Sequence, residues 1–332
     1  MSGDLIHGGA LDVMRSAYPN APDPWIDLST GINPWPYPDQ AISEAALAHL
    51  PTRSAYEGCR QAMATSIGAP PDSLLPAPGS ELLIRLLPDV IRPSRVAILS
   101  LTYGDHAIAW ARAGSDIIHS DDPLSLAEDV DAIVLTHPNN PDGRLFDLQA
   151  LEEARLTLAA KGGWLILDEA YADLTPDCSF ASKGGEAGLI VLRSFGKFFG
   201  LAGLRLGAVL APERVRQPLS ERLGVWPISG SALEIGARAY ADHDWQIQTR
   251  QALSHAADRL DTILKEGGLT VVGGTSLFRF VDVDKAHDAF EHLAQSGIYV
   301  RRFEGSDRHL RIGLPATPEA EARLKAALRL LG

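Results

Sequence analysis

The chain has 332 residues, 45% of them hydrophobic and 22% charged, with a formal net charge of −12. Such a composition excludes a disordered chain, and acidic residues spread along it without a basic block exclude a surface built for a nucleic-acid backbone or an anionic membrane. Cys59 and Cys178 are the only cysteines, too few for a disulfide framework or a thiolate metal site, so no metal and a cytoplasmic location are expected, in keeping with the lack of an apolar run near 18 residues or a leader pattern.

Residues 1–40 are rich in Gly, Pro, Asn and Asp and predict an extended arm with turns. Helical stretches are expected at 40–50 and 57–67. Gly79-Ser80-Glu81 precedes the apolar Leu82-Leu83-Ile84 and should open a helix, where free backbone N–H groups can cradle a phosphate or Ser80 can act as a plain N-cap. Short apolar runs at 96–99, 133–135, 164–167, 189–192 and 207–210 read as buried strands. Helix-compatible segments such as 105–113 and 147–160 separate several of them. This alternation predicts an α/β fold with a mainly parallel sheet sandwiched by helices. Beyond about residue 230, an amphipathic stretch to 265, apolar runs at 269–272, 277–281 and 298–300, and helices at 285–296 and 318–331 suggest a smaller α+β domain.

Chemistry-bearing residues cluster just past these strands, where open α/β sheets bind ligands. Tyr103 follows the run ending at Leu99 and could stack on a flat cofactor or simply pack. His137-Pro138-Asn139-Asn140-Pro141-Asp142-Gly143 follows the run ending at Leu135, offering Asn140 as a fixed amide, although the same residues make an ordinary turn. Asp168-Glu169-Ala170-Tyr171 follows the run 164–167. Asp168 could hold a protonated ring nitrogen or cap a helix, and Tyr171 could equally pack. Lys197 is one of six lysines and lies in the apolar run Ser194-Phe195-Gly196-Lys197-Phe198-Phe199-Gly200. A lysine sheltered from water in this way can condense with an aldehyde, which points to a Schiff-base lysine.

Together these segments resemble the fold-type I pyridoxal-phosphate enzymes of the aspartate aminotransferase superfamily, from Gly79 through Arg311. The string Ser194-Phe195-Gly196-Lys197, with Arg205 eight residues after Lys197, is its most specific part. The resemblance implies that Lys197 binds pyridoxal 5'-phosphate covalently, that Asp168 pairs with the ring nitrogen, that Asn140 and Tyr171 bond the ring hydroxyl oxygen, and that Tyr103 stacks on the ring. The cofactor phosphate would be held by Gly79, Ser80, Glu81, Ser194 and Arg205. Arg311, in His309-Leu310-Arg311-Ile312-Gly313, would grip the substrate α-carboxylate. A cis bond at Asn140–Pro141 is also implied.

Within that superfamily, His7-Gly8-Gly9, Asp27-Leu28-Ser29-Thr30-Gly31-Ile32-Asn33-Pro34 and Trp226-Pro227-Ile228-Ser229-Gly230 are similar to threonine-phosphate decarboxylases of cobalamin biosynthesis. The implied reaction converts O-phospho-L-threonine to 1-amino-2-propanol phosphate and carbon dioxide. The alternatives are a class I/II aminotransferase acting on histidinol phosphate or a related amino acid, and a catalytically silent scaffold subunit. His7, Arg301 and Arg302 are the candidates for the substrate phosphate, with Gly31, Asn33 and Asn140 also against the substrate. The implied organisation is an arm and substrate lid at 1–40, a large cofactor-binding domain at 41–230 and a small domain at 231–332. A homodimer with its active site at the interface is expected. Leu50-Pro51-Thr52-Arg53-Ser54-Ala55-Tyr56 departs from the family's Arg-Tyr-Pro-Asp string, leaving open whether Tyr56 reaches the neighbouring cofactor.

Overall fold

The computed structural model describes residues 8–303 and 306–331; His7 lies outside them. The strands are β1 (Ile26–Leu28), β2 (Leu74–Ala77), β3 (Arg95–Leu99), β4 (Asp116–Ser120), β5 (Ala132–Thr136), β6 (Trp164–Asp168), β7 (Leu189–Ser194), β8 (Gly207–Leu210), β9 (Thr270–Thr275), β10 (Phe278–Asp282), β11 (Ile298–Arg302) and β12 (His309–Gly313). The helices are α1 (Leu11–Ala17), α2 (Glu44–Ala48), α3 (Arg53–Ser66), α4 (Ser80–Ile91), α5 (Asp105–Arg112), α6 (Leu148–Ala160), α7 (Glu213–Leu223), α8 (Gly230–Ala241), α9 (His243–Glu266), α10 (Ala286–Gln295) and α11 (Pro318–Leu328). No described helix is long and apolar enough to cross a membrane.

Two compact units result. The larger comprises Pro36–Asn140 and Arg144–Trp245 and holds a seven-stranded sheet in the order β2-β8-β7-β6-β5-β3-β4. Neighbours pair in parallel from β4 to β7, and β8 pairs antiparallel with both β7 and β2. Strands β5 and β6 are buried along their whole length, as expected for strands covered on both faces. One core packs Ile98, Val134, Ile166, Leu192 and Val209 against Leu83, Ile84 and Leu87 of α4 and Trp110 of α5. Pro76, which has no N–H to give a ladder, sits in the edge strand β2.

The smaller unit comprises the described residues up to Trp35, Pro141–Gly143 and the chain from Gln246. Its sheet runs β1-β11-β12-β10-β9, with β1 parallel to β11 and the other pairs antiparallel. The arm is more ordered than its composition suggests: α1 forms at 11–17, and β1 is a strand of this sheet. The helix expected at 40–50 is reduced to the five residues of α2, started by Ser43 Oγ accepting from the Ala46 N–H (3.1 Å). Pro141–Gly143 lie against β9. The Gly274 N–H donates to Asp142 O (2.7 Å), and a Cβ on Gly143, whose φ is +72°, would fall 1.8 Å from Gly274 O. Only glycine permits that approach.

The candidate active site

Parallel pairing brings the carboxyl ends of β5, β6 and β7 to one edge of the larger sheet, where Thr136, Asp168 and Ser194 end their strands. Asp168 pairs in register with Leu192, two residues before Ser194. Side chains alternate along a strand, so Asp168 and Ser194 share one face, while Glu169 and Arg193 share the other.

Asp168 is 3% exposed. Its Oδ2 lies 3.0 Å from Nε2 of buried His106, and its Oδ1 accepts from the Ala170 N–H (3.1 Å). The carboxylate is therefore fixed from two sides. The bond to Ala170 is the local one a capping aspartate would make, yet only a 3-10 turn at Ala172–Leu174 follows. Sequence reading missed His106, three residues after Tyr103 in the first turn of α5; that spacing was the available signal. The Tyr103 ring stands edge-on to His106, 6.1 Å between centroids, and its hydroxyl donates to Glu81 Oε2 (3.2 Å). Burial pushes the Tyr103 hydroxyl up, and the hydrogen bond to Asp105 and the nearby charge of Glu81 act in the same direction, so it stays protonated.

At the start of α4 the expected helix begins at Ser80, but Ser80 is not the cap. Gly79 occupies that position at φ 83°, ψ 159°, and no side chain caps the helix, leaving its first amides for another acceptor. Arg205, itself at φ 54°, lies beside this turn; a Cβ on Gly79 would fall 2.6 Å from its Nη2. A Cβ on Gly207, which pairs with Ser194, would fall 2.8 Å from the Ser80 nitrogen. Gly79, Ser80, Ser194 and Arg205 thus form one cradle of amides, a hydroxyl and a guanidinium. Glu81 contributes its place in the first turn, while its carboxylate is taken by Arg85 (2.7 Å) and Tyr103.

Lys197 is not on a helix. It lies in a turn between buried Phe195 and Phe198 and is itself half-buried, with its Nζ 5.8 Å from the Tyr171 ring centroid. Phe195 stacks on Phe199 at 4.4 Å, and a Cβ on Gly196 would meet Ala202 Cα at 2.7 Å. A packed aromatic base therefore holds the lysine turn. The two adjacent asparagines divide their work. Asn139 is fully buried, with its Nδ2 donating to Leu101 O (2.9 Å), its Oδ1 accepting from Thr102 Oγ1 (2.7 Å) and its N–H donating to Arg144 O (2.9 Å). Asn140 is only half-buried. The cis proline bonds are Asp23–Pro24 and His137–Pro138, so the cis bond expected at Asn140–Pro141 is not there. His137 is buried; its Nδ1 accepts from the Phe146 N–H (3.3 Å), which leaves Nε2–H to donate to Cys178 O (3.0 Å). Burial holds its pKa below the ordinary value.

In the smaller unit, Arg301 pairs directly across from Arg311, and Arg311 across from Phe280. These residues share a sheet face with Phe278, over which the Arg311 guanidinium lies at 5.0 Å. Arg302 is on the opposite face, 3.2 Å from His287 Nδ1 and over the Phe290 ring of α10. Alternation thus separates two residues that the sequence suggested for one task. Arg311 Nη2 donates to Ser29 O (2.6 Å), and the Gly9 N–H to Ser29 Oγ (2.8 Å). A Cβ on Gly8 would fall 2.5 Å from Ser29 O, and Gly9 has a φ of +91°, so each position favours glycine for its own reason. Gly31 and Asn33, a little further on, are buried, and Asn33 Oδ1 accepts from the Trp35 N–H (2.9 Å).

The chain is 40% identical over 326 residues to a threonine-phosphate decarboxylase of Pseudomonas aeruginosa, covering 98% of this chain and 97% of that one. It is 38% identical over 330 residues to a threonine-phosphate decarboxylase of a Sinorhizobium species, covering 99% and 98%. The fold matches the crystal structure of histidinol-phosphate aminotransferase from Sinorhizobium meliloti in complex with pyridoxal-5'-phosphate, with a TM-score of 0.83 at 21% identity over 97% of this chain and 94% of that one. Residues 23–329 match the family pattern of aminotransferase class I and II, and the chain belongs to that family.

Proposed function

We propose that this protein is a pyridoxal-phosphate-dependent decarboxylase of O-phospho-L-threonine, releasing carbon dioxide and 1-amino-2-propanol phosphate, as a cytoplasmic enzyme serving cobalamin biosynthesis. The observation that carries the substrate class is Arg301 directly opposite Arg311 on one sheet face. Like charges facing each other across a ladder are unfavourable on their own. A substrate with both a carboxylate and a phosphate offers each guanidinium an anion.

The residues present fit the cofactor. The uncapped start of α4 at Gly79, with Arg205 against it, suits a phosphate dianion, and Gly79 leaves the space that a Cβ would fill. Lys197 would hold the cofactor covalently, Asp168 its ring nitrogen, Asn140 and Tyr171 its ring oxygen, and Tyr103 its ring face. When bound, pyridoxal phosphate withdraws electrons from the substrate Cα and so permits loss of the carboxylate. Asp168 would serve this as an oriented carboxylate, which the His106 and Ala170 contacts hold in place. Arg311 orients the departing carboxylate. Once carbon dioxide has left, Lys197 would return a proton to Cα. Arg301, with His7, is the reader of the substrate phosphate, whereas Arg302 is engaged by α10.

A homodimer with its active site at the interface is part of this reading. Leu47, Leu50, Val225 and Trp226 are 71%, 64%, 82% and 56% exposed in the larger unit. Val225, Trp226 and Tyr56 line a cavity of about 360 Å³. The test is incubation with phosphothreonine, with and without 2-oxoglutarate, while carbon dioxide is assayed. Carbon dioxide release independent of 2-oxoglutarate is expected. Turnover of histidinol phosphate with 2-oxoglutarate and no carbon dioxide would establish transamination instead, and a colourless protein that takes up no cofactor would indicate a silent scaffold.

A further inference from the structure

Behind the residues assigned to the cofactor lies a buried ion triad that the reaction itself does not use. Glu169, Arg193 and Asp173 are 0%, 2% and 6% exposed. Arg193 Nη1 donates to Glu169 Oε2 (2.8 Å) and Nη2 to Asp173 Oδ1. Glu169 also accepts from Ser179 Oγ and from the Phe180 N–H, both at 2.6 Å. Glu169 is the residue after Asp168 and two before Tyr171; Arg193 is the residue before Ser194 and four before Lys197. The ions point to the face opposite the cofactor residues, so the triad clamps the ends of β6 and β7 from behind.

A buried ion triad is a poor source of net stability, because desolvation of its charges offsets their attraction and apolar residues of similar volume often do as well. What an apolar cluster cannot supply is direction: the fork of Arg193 fixes two carboxylates at set angles. We propose that the Glu169–Arg193–Asp173 triad is a positioning device, setting the spacing between Asp168 at the end of β6, with Tyr171 just beyond it, and Ser194 at the end of β7, with Lys197 just beyond it. The proposal rests on the cofactor assignment above. Its test therefore reads cofactor binding rather than turnover of any one substrate.

Two variants are needed. Arg193→Lys keeps the charge but loses the fork. The triple variant Glu169→Leu/Asp173→Leu/Arg193→Met replaces the triad with apolar volume. For each, the urea unfolding midpoint of the cofactor-free protein, the Kd for pyridoxal phosphate and the pH midpoint of the bound cofactor's visible absorbance are compared with wild type. The expected result is a cofactor-free stability near wild type in at least one variant, with a Kd raised about tenfold and an absorbance midpoint moved by about half a pH unit or more, as misplaced partners would cause. A folded variant with wild-type Kd and wild-type absorbance midpoint would overturn the proposal and leave the triad a structural cluster. Should the triple variant fail to fold, Arg193→Lys decides by the same two readings. Lys197→Ala, lacking the covalent link, serves as a control. If wild type itself takes up no cofactor, it is the cofactor assignment that fails.

Discussion

Replacing Gly79 by alanine isolates the phosphate cradle. The residue sits at φ 83°, ψ 159°, a region open essentially to glycine alone, and holding another residue there costs about 1–3 kcal/mol. The new methyl would fall 2.6 Å from Arg205 Nη2, so the guanidinium must swing away from the helix start. Losing one charged hydrogen bond to the cofactor phosphate costs about 1.5–3 kcal/mol, which weakens binding about 10- to 150-fold. Urea unfolding of the cofactor-free protein reads the first effect, and titration with pyridoxal phosphate reads the second. Arg205→Gln separates them, since it should weaken the cofactor to a similar extent with little backbone penalty. A Gly79→Ala protein that binds pyridoxal phosphate within about twofold of wild type would refute the cradle, because the stated geometry leaves the methyl nowhere else to go.

Lys197→Ala should fold yet carry no cofactor that borohydride can fix to the chain; full fixation would show that another lysine does this work. Asp168→Asn should keep its cofactor and lose turnover by about 100-fold or more, as for loss of an oriented ionisable group, with undiminished kcat as the contrary result. Arg301→Ala should raise KM for phosphothreonine by about 10-fold or more, while Arg302→Ala, whose partners are His287 and Phe290, should leave it nearly unchanged; equal effects would contradict the face assignment. The depressed pKa of His137 implies a stabilising contribution that is present above the ordinary histidine value, about 6.5, and is lost as pH falls through the lower folded value. The unfolding free-energy gap between wild type and His137→Gln should therefore shrink on acidification from pH 8 to pH 5; a gap that widens would show the opposite shift.

Strands legible in the sequence were those whose burial on both faces leaves a continuous apolar run, such as β5, β6 and β7. Strand β4, at the sheet edge with part-buried and exposed positions but no buried one, and β2, interrupted by Pro76, carry no such run and escaped notice. The placement of Asp168 at a strand end and of the Gly79 turn at a helix start was readable because it depends on local chain context. His106, the Glu169–Arg193 pair and the parting of Arg301 from Arg302 were not, because each depends on register: which residue faces which across a ladder is set by the assembled sheet, not by spacing along one strand.

The contact between Gly143 and Gly274 has a consequence for how this protein can be altered. The Gly274 N–H reaches Asp142 O, and a Cβ on Gly273 would fall 2.2 Å from the same oxygen. Two main chains touch here with no side chain between them. A loop bearing a bulkier residue at 143, borrowed from a relative, would not fit unless the facing stretch of β9 were borrowed with it. Pro141–Gly143 and Gly273–Gly274 must therefore be exchanged together, and a chimera whose crossover brings a bulkier residue to 143 or 273 against an unchanged partner stretch should be destabilised even when both parents are active.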